Sequence, residues 1–369
     1  MYESIRIQNF RGLKDLTIEN LGRVNLLVGA NNVGKTSVLE ALALLRARQE
    51  GTEIQQMLTS RGYLPGDSLT DVWAELVFRG AKGFSVTGKW PGTRHGVVGF
   101  TSYEAAGAVL AFHPITHYLV QATENGEMAF NSPSLILVHV DPASAEATAA
   151  RGLNELPQRP IRLALLDPHA LPPAWGRDAI FGPLVWVPFG YSYGAAGLAD
   201  GLTRIQGTAR YEVLLDALRS FDDRIVGLYP GYDSIAKKPL IRVGFTDLDQ
   251  NLGLPALGDG VKRMFELLMT SPLAAGGVVL IDEIESGIYY QNLSALWRAL
   301  SELSERDEVQ IFSTSHSLEC VEAAVRAFDG AHAGDFRLHR MSRRGDEIVA
   351  TTYDHEAAVA TLAVGVEFR

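Results

Sequence analysis

From Val24 to Leu45 the chain reads VNLLVGANNVGKTSVLEALALL. An apolar run leads into a glycine turn, and beyond the turn Val38, Leu39, Leu42 and Leu45 recur at helical spacing. Gly29, Gly34, Lys35 and Thr36 fill the fixed places of G-x-x-x-x-G-K-[ST], in the strand-to-helix context that this pattern requires. Such a turn aims several backbone N–H groups and the positive end of a helix at one point, which suits a phosphate. The sequence therefore predicts a loop of Asn31, Asn32, Val33, Gly34, Lys35, Thr36 and Ser37 around ATP or GTP. Lys35 supplies a charge near the β- and γ-phosphates, and the Thr36 hydroxyl is a ligand for Mg2+.

A second constellation lies far along the chain, in GGVVLIDEIESG. Val278 to Ile281 have the unbroken apolar character of a buried parallel strand, and they deliver Asp282 and Glu283 to its end. Asp282 is predicted to serve the metal, and Glu283 to act as base or orienter for an attacking water. A third run, VQIFSTSHS, sets Ser313, Ser315 and His316 at the end of another apolar strand, with His316 where a γ-phosphate sensor belongs. From Pro239 onward strands (IRVGF, GGVVLID, VQIFSTS) alternate with helices (GDGVKRMFELLMTS, NLSALWRALSEL and one over 317–328). This order implies a largely parallel sheet with its chemistry at the strand C-termini. FRLHRM and EIVATTY follow as a hairpin, with a last helix over 357–363.

The rest of the chain is less orderly. IRIQNF and LTIENL alternate as strands before VNLLV, so three short strands precede the loop. Residues 51–239 read as a β-rich insertion in which VWAELVF, SLILVHV, IRLALL and PLVWVPF are separated by segments rich in Gly, Pro and Ala. One amphipathic helix is predicted there over 208–227, with Val213, Leu214, Ala217, Leu218, Phe221 and Ile225 on one face. No heptad array points to a long coiled-coil arm.

Composition narrows the function classes. With 369 residues and 47% hydrophobic content the chain can bury one large core or two modest ones. A net charge of -10 argues against a protein that coats DNA, although a local basic groove is compatible with it. The single cysteine, Cys320, allows no disulfide framework, and neither a membrane span nor a secretory leader is readable, so a cytoplasmic setting is expected.

Taken in order, IRIQNFRGLKDLTI, GANNVGKTSVLEAL, LPALGDGVKRMFELL, GGVVLIDEIESGIYY and IFSTSHSLECVEA resemble the head of an ABC-class P-loop ATPase. The likeness is to the group of OLD-type (overcoming lysogenization defect), RecF and SMC proteins, and it covers roughly 1–48 and 240–330. It implies an α/β ABC-type head with a mixed sheet, an N-terminal antiparallel β subdomain and a helical/β insertion. On this reading 1–369 is a single head, with core lobes at about 1–50 and 240–369. The resemblance further implies that two heads close on two ATP molecules, as a homodimer or higher oligomer. Carried over, Gly258, Asp259 and Gly260 of LGDG form the signature segment that meets the partner's γ-phosphate, and Arg11 of NFRG packs near the nucleotide. Asp259 replaces the glycine usual in transporter ATPases, and Tyr289 stands where relatives often carry histidine. A Q-loop is not readable; Gln55, Gln56 and Gln206 are its candidates. The resemblance does not extend to the Toprim nuclease of longer OLD-type relatives. It implies slow ATP hydrolysis controlling a separate effector, with anti-phage defence as the setting. A RecF-like ATPase that binds DNA, or a scaffold that holds ATP without turnover, are the alternatives.

Overall fold

A computed structural model describes residues 1–46, 61–62, 76, 78–79, 83–89, 95–101, 135–140, 161–163, 183–190, 194–233, 237–365 and 368. The chain divides into two compact units, the first from 1–21, 30–180 and 341–352, the second from 22–29, 181–340 and 353–369.

The first unit is built on an antiparallel sheet. Strands β1 (Ser4–Phe10) and β2 (Leu13–Glu19) form its opening hairpin, and β4 (Gly83–Lys89), β5 (His95–Thr101), β6 (Leu135–Val140) and β7 (Ile161–Leu163) extend it in the order β2-β1-β4-β5-β6-β7. Alternation fixes the buried face: Ile5, Ile7 and Phe10 of β1 and Leu13, Leu16 and Ile18 of β2 are all sealed. The tight β1–β2 turn holds Asn9 and Arg11 at φ 56° and 49°, in the left-handed region. Helix α1 (Lys35–Arg46) lies against β1 and β4, burying the Val38, Leu39, Leu42 and Leu45 that its spacing announced. Residues 341–352 complete this unit as the far part of the hairpin between β14 (Phe336–Arg344) and β15 (Glu347–Tyr353).

The second unit holds the parallel sheet. β3 (Val24–Val28), β8 (Leu184–Val187), β12 (Val278–Ile281), β13 (Gln310–Thr314) and the start of β14 run parallel in the order β14-β3-β13-β12-β8. Every residue of β3, β12 and β13 is buried, as strands covered on both faces require. Around them lie α2 (Ala195–Ile205), α3 (Ala209–Arg219), α4 (Asp259–Leu273), α5 (Leu293–Arg306), α6 (Leu318–Ala327) and α7 (His355–Ala363). β9 (Ile225–Asp233), β10 (Lys238–Phe245) and β11 (Leu252–Gly253) form a separate 3-stranded antiparallel sheet. Trp297 of α5 meets Phe328 edge-on at 6.2 Å, and Phe328 stacks on Phe336 at 5.0 Å. Truncating Trp297 here would cost about 3–5 kcal/mol.

Asn25 clips the middle of this sheet together. Its Nδ2 donates to the carbonyls of Gly22 (2.8 Å) and Ile311 (3.2 Å). Its Oδ1 accepts from Gly22 N at 2.8 Å and faces His339 Nε2 at 3.1 Å. The buried amide thus ties β3 to β13 and β14, with its polar atoms satisfied.

Three sequence expectations need correction. The helix predicted over 208–227 ends at Arg219, and Ile225 opens β9 instead of continuing the helical face. Arg224, paired with Asp222 and Asp247, pins the intervening turn. A second helix, α2, precedes it in AAGLADGLTRI, a stretch whose glycines hide its periodicity. In VWAELVF, Leu76 is helical; residues 72–75 and 77 lie outside the described residues.

Candidate functional site

In the first unit the loop residues rise into α1. Asn32 has φ 61° and Gly34 φ 85°. A Cβ on Gly34 would stand 2.8 Å from Leu13 Cδ2, so both conformation and space call for glycine here. Lys35 Nζ donates to Ala30 O at 2.9 Å, folding the side chain back across the turn. Val38 N donates to Gly34 O at 3.0 Å, which starts the helical ladder. Asn31 and Asn32 are exposed, Thr36 is half-buried, and Val33, Lys35 and Ser37 are buried. Arg343 donates to Asn32 O at 3.3 Å. Sequence reading assigns Arg11 to the nucleotide; the structure gives its guanidinium a partner within the chain, Glu40 of α1.

In the second unit the strand ends line up. β3 runs out at Val28 and Gly29, beside β13, which is followed by β12. Ser315 N donates to Leu27 O at 3.1 Å, so the segment bearing His316 leaves the sheet level with the start of the loop. One strand further, Asp282 is nearly buried, and its N donates to Val187 O at 2.9 Å. Asp282 Oδ1 accepts the Thr314 hydroxyl at 2.6 Å. Glu283 stands in the left-handed region at φ 49°, and its N donates to Thr314 Oγ1 at 2.8 Å. Its carboxylate lies 3.6 Å from His316 Nε2, both side chains 36% exposed and open to water. Asp282, Glu283 and His316 are therefore together at one end of the sheet, as their places in the sequence imply. Thr314 and Glu285, which join them, are missed by sequence reading; the only signal is their position within two residues of His316 and Glu283.

The LGDG segment opens α4. Gly258 caps the helix, with nothing within 4 Å of where a Cβ would stand, and Asp259 is the exposed first residue. A carboxylate there is favoured by the helix dipole. Gly260 differs: a Cβ would meet Phe221 Cε1 at 3.0 Å and Gly287 O at 3.3 Å, so its glycine is explained by packing inside the unit. Tyr289 and Tyr290 are exposed and meet edge-on at 4.6 Å. Gln206 Nε2 donates to Leu228 O at 3.2 Å, while Gln55 and Gln56 lie outside the described residues.

Both halves of this arrangement fall in segments that match known families. Residues 1–72 match the model described as "AAA ATPase domain", and 212–322 that described as "AAA domain, putative AbiEii toxin, Type IV TA system". Among solved structures, an SMC head bound to the C-terminal winged-helix domain of ScpA superposes with a TM-score of 0.51 at 13% identity, covering 97% of this chain and 99% of that one. The fold is that of an SMC head, an α/β fold with a mixed sheet and an antiparallel N-terminal sheet.

Two curated relatives match the chain. A Helicobacter pylori protein described as an ATP/GTP phosphatase is 21% identical over 395 residues, spanning 96% of this chain and 95% of its own length. An uncharacterized protein of Methanocaldococcus jannaschii is 38% identical over 95 residues, which is 24% of this chain. The match spans 42% of that archaeal protein. These matches support a P-loop ATPase and do not single out the OLD-type subgroup. Among the described residues, no helix of this head is long and apolar enough to cross a membrane.

Proposed function

We propose that the chain binds Mg-ATP, hydrolyses it slowly, and uses ATP-dependent closure of two heads to switch a separate effector. The observation that carries this reading is the alignment of three parallel strand ends, β3 with the start of the loop, β13 with His316, and β12 with Asp282 and Glu283. Gly34, Lys35 and the neighbouring loop amides would hold the triphosphate. Thr36 and Asp282 would hold Mg2+, and as hard oxygen donors they suit that ion. The bound ion would neutralise charge on the phosphates. Glu283 would orient the attacking water, and His316, facing it, would sense the γ-phosphate.

Closure of two copies is supported by the exposed end of α4. Gly258 and Asp259 there are uncovered in the single chain and would meet the partner's nucleotide. A separate toxin or nuclease as effector, in anti-phage defence, is the setting favoured by the resemblance of these sequence segments to OLD-type ATPases. Lys35→Ala is expected to abolish ATP binding. Glu283→Gln is expected to trap ATP and a dimer. Gel filtration showing the same oligomer with and without ATP in the Glu283→Gln chain would count against head closure.

A further inference from the structure

We propose that Glu285 and Thr314 are positioning residues for hydrolysis, a clamp that fixes Glu283 and His316 relative to each other. The inference rests on the ATPase reading above and assigns roles to two side chains outside the loop, the metal ligands and the base.

The turn after β12 and the segment after β13 are joined at four consecutive residues. Thr314 Oγ1 donates to Asp282 Oδ1 at 2.6 Å and accepts from Glu283 N at 2.8 Å. Thr314 O accepts from Ile284 N at 3.1 Å, and Glu285 Oε1 accepts from His316 N at 2.8 Å. A carboxylate can only accept, so the Thr314 proton must point to Asp282, which leaves the hydroxyl lone pairs for Glu283 N. One hydroxyl therefore sets both the carboxylate of Asp282 and the backbone of Glu283. That backbone is in the left-handed region, unfavourable for glutamate, and persists because the bonds from residues 283 and 284 to Thr314 hold it. Glu285 does the same for the other partner, anchoring the amide of His316.

The second oxygen of Glu285 argues that stability alone does not explain the residue. Oε2 is buried with no hydrogen-bond partner among the described residues, close enough to Cys320 for its charge to raise the thiol pKa. An orphaned buried oxygen costs stability and calls for an explanation. Holding His316 level with Glu283 provides one, since a misplacement of about 1 Å at a reacting group can cost about a hundredfold in rate.

The test measures Mg-ATP-dependent phosphate release and binding of a fluorescent ATP analogue on the full chain, with melting followed by circular dichroism. Glu285→Ala and Thr314→Val should each lower kcat by about ten- to a hundredfold while the nucleotide Kd stays within about twofold. Glu285→Gln keeps the Oε1 acceptor and Thr314→Ser keeps the hydroxyl, so both should recover to within about threefold of the wild-type rate. A Glu285→Gln chain as slow as Glu285→Ala would overturn the proposal, because the charge rather than the hydrogen bond would then be at work. Wild-type turnover in Thr314→Val would overturn it as well, even if Glu285→Ala fails to fold. These results leave the ATPase reading intact; a wild-type chain that releases no more phosphate than Lys35→Ala overturns both.

Discussion

Arg11 Nε lies 2.7 Å from Oε2 of Glu40, a side chain wholly sealed from solvent. Arg61 Nε holds the other oxygen at 2.7 Å. Glu40 sits on α1 just past the loop, so the β1–β2 turn carrying Arg11 is tied to the helix that carries the loop. Removing one partner of a buried pair strands the other charge. Glu40→Ala, which strands the nearly buried Arg11, should therefore cost about 3–5 kcal/mol in urea unfolding, and Arg11→Ala less, because Arg61 still holds Glu40. Arg61→Ala should cost about 0–1 kcal/mol, because Arg61 is 40% exposed and its ion pair is screened.

Gly34→Ala tests the loop's conformation. At φ 85°, with Leu13 Cδ2 2.8 Å from the new Cβ, alanine must strain the backbone and displace a core leucine. The expected loss is about 1–3 kcal/mol, read in thermal melts, together with loss of ATP-analogue binding.

Acid sensitivity should trace to His339. Burial, and then the charge of Arg337, hold its pKa down to about 3 from the ordinary 6.5. The folded state therefore favours neutral imidazole facing Asn25, and its contribution is complete above about pH 6.5. As pH falls toward about 3 the unfolded chain takes up a proton that the folded chain refuses, so stability declines by up to about 1.4 kcal/mol per pH unit. Urea titrations across this range should show a shallower decline in His339→Gln; the same slope in both chains would refute the assignment.

Cys320 should be inert. Its thiol is fully buried and pushed up to about 12, by burial first and then by the charge of Glu285. The native chain should resist iodoacetamide at mildly alkaline pH and react once guanidinium unfolds it; labelling of the native chain would contradict this burial.

What could be read from the sequence follows physical locality. The loop and α1 are legible because a phosphate cradle needs glycines at fixed spacing followed at once by a helical face. β12 and β13 are legible because strands buried on both sides have no polar interruption, and the hairpin of β14 and β15 because its turn is short. Thr314 was not legible: its hydroxyl acts on Asp282 and Glu283 across a strand gap that only the parallel register creates. Nor was the intramolecular reason for Gly260, since Phe221 and Gly287 reach it from distant parts of the chain. The helix predicted through Ile225 failed because a helical face and the first apolar residue of a strand look alike once a short polar turn separates them. The pairing of Arg11 with Glu40, which the fold of the β1–β2 turn against α1 brings about, was not legible either.

The chain passes from one unit to the other between Gly29 and Ala30, inside the turn itself, and returns three more times after Leu21 has already handed over to Gly22. No single cut separates the halves. A fragment that kept β3 and its sheet would lose the lysine and helix that follow, and one that kept α1 would lose the strand that launches it. The two units must therefore be inherited, expressed and purified as one piece.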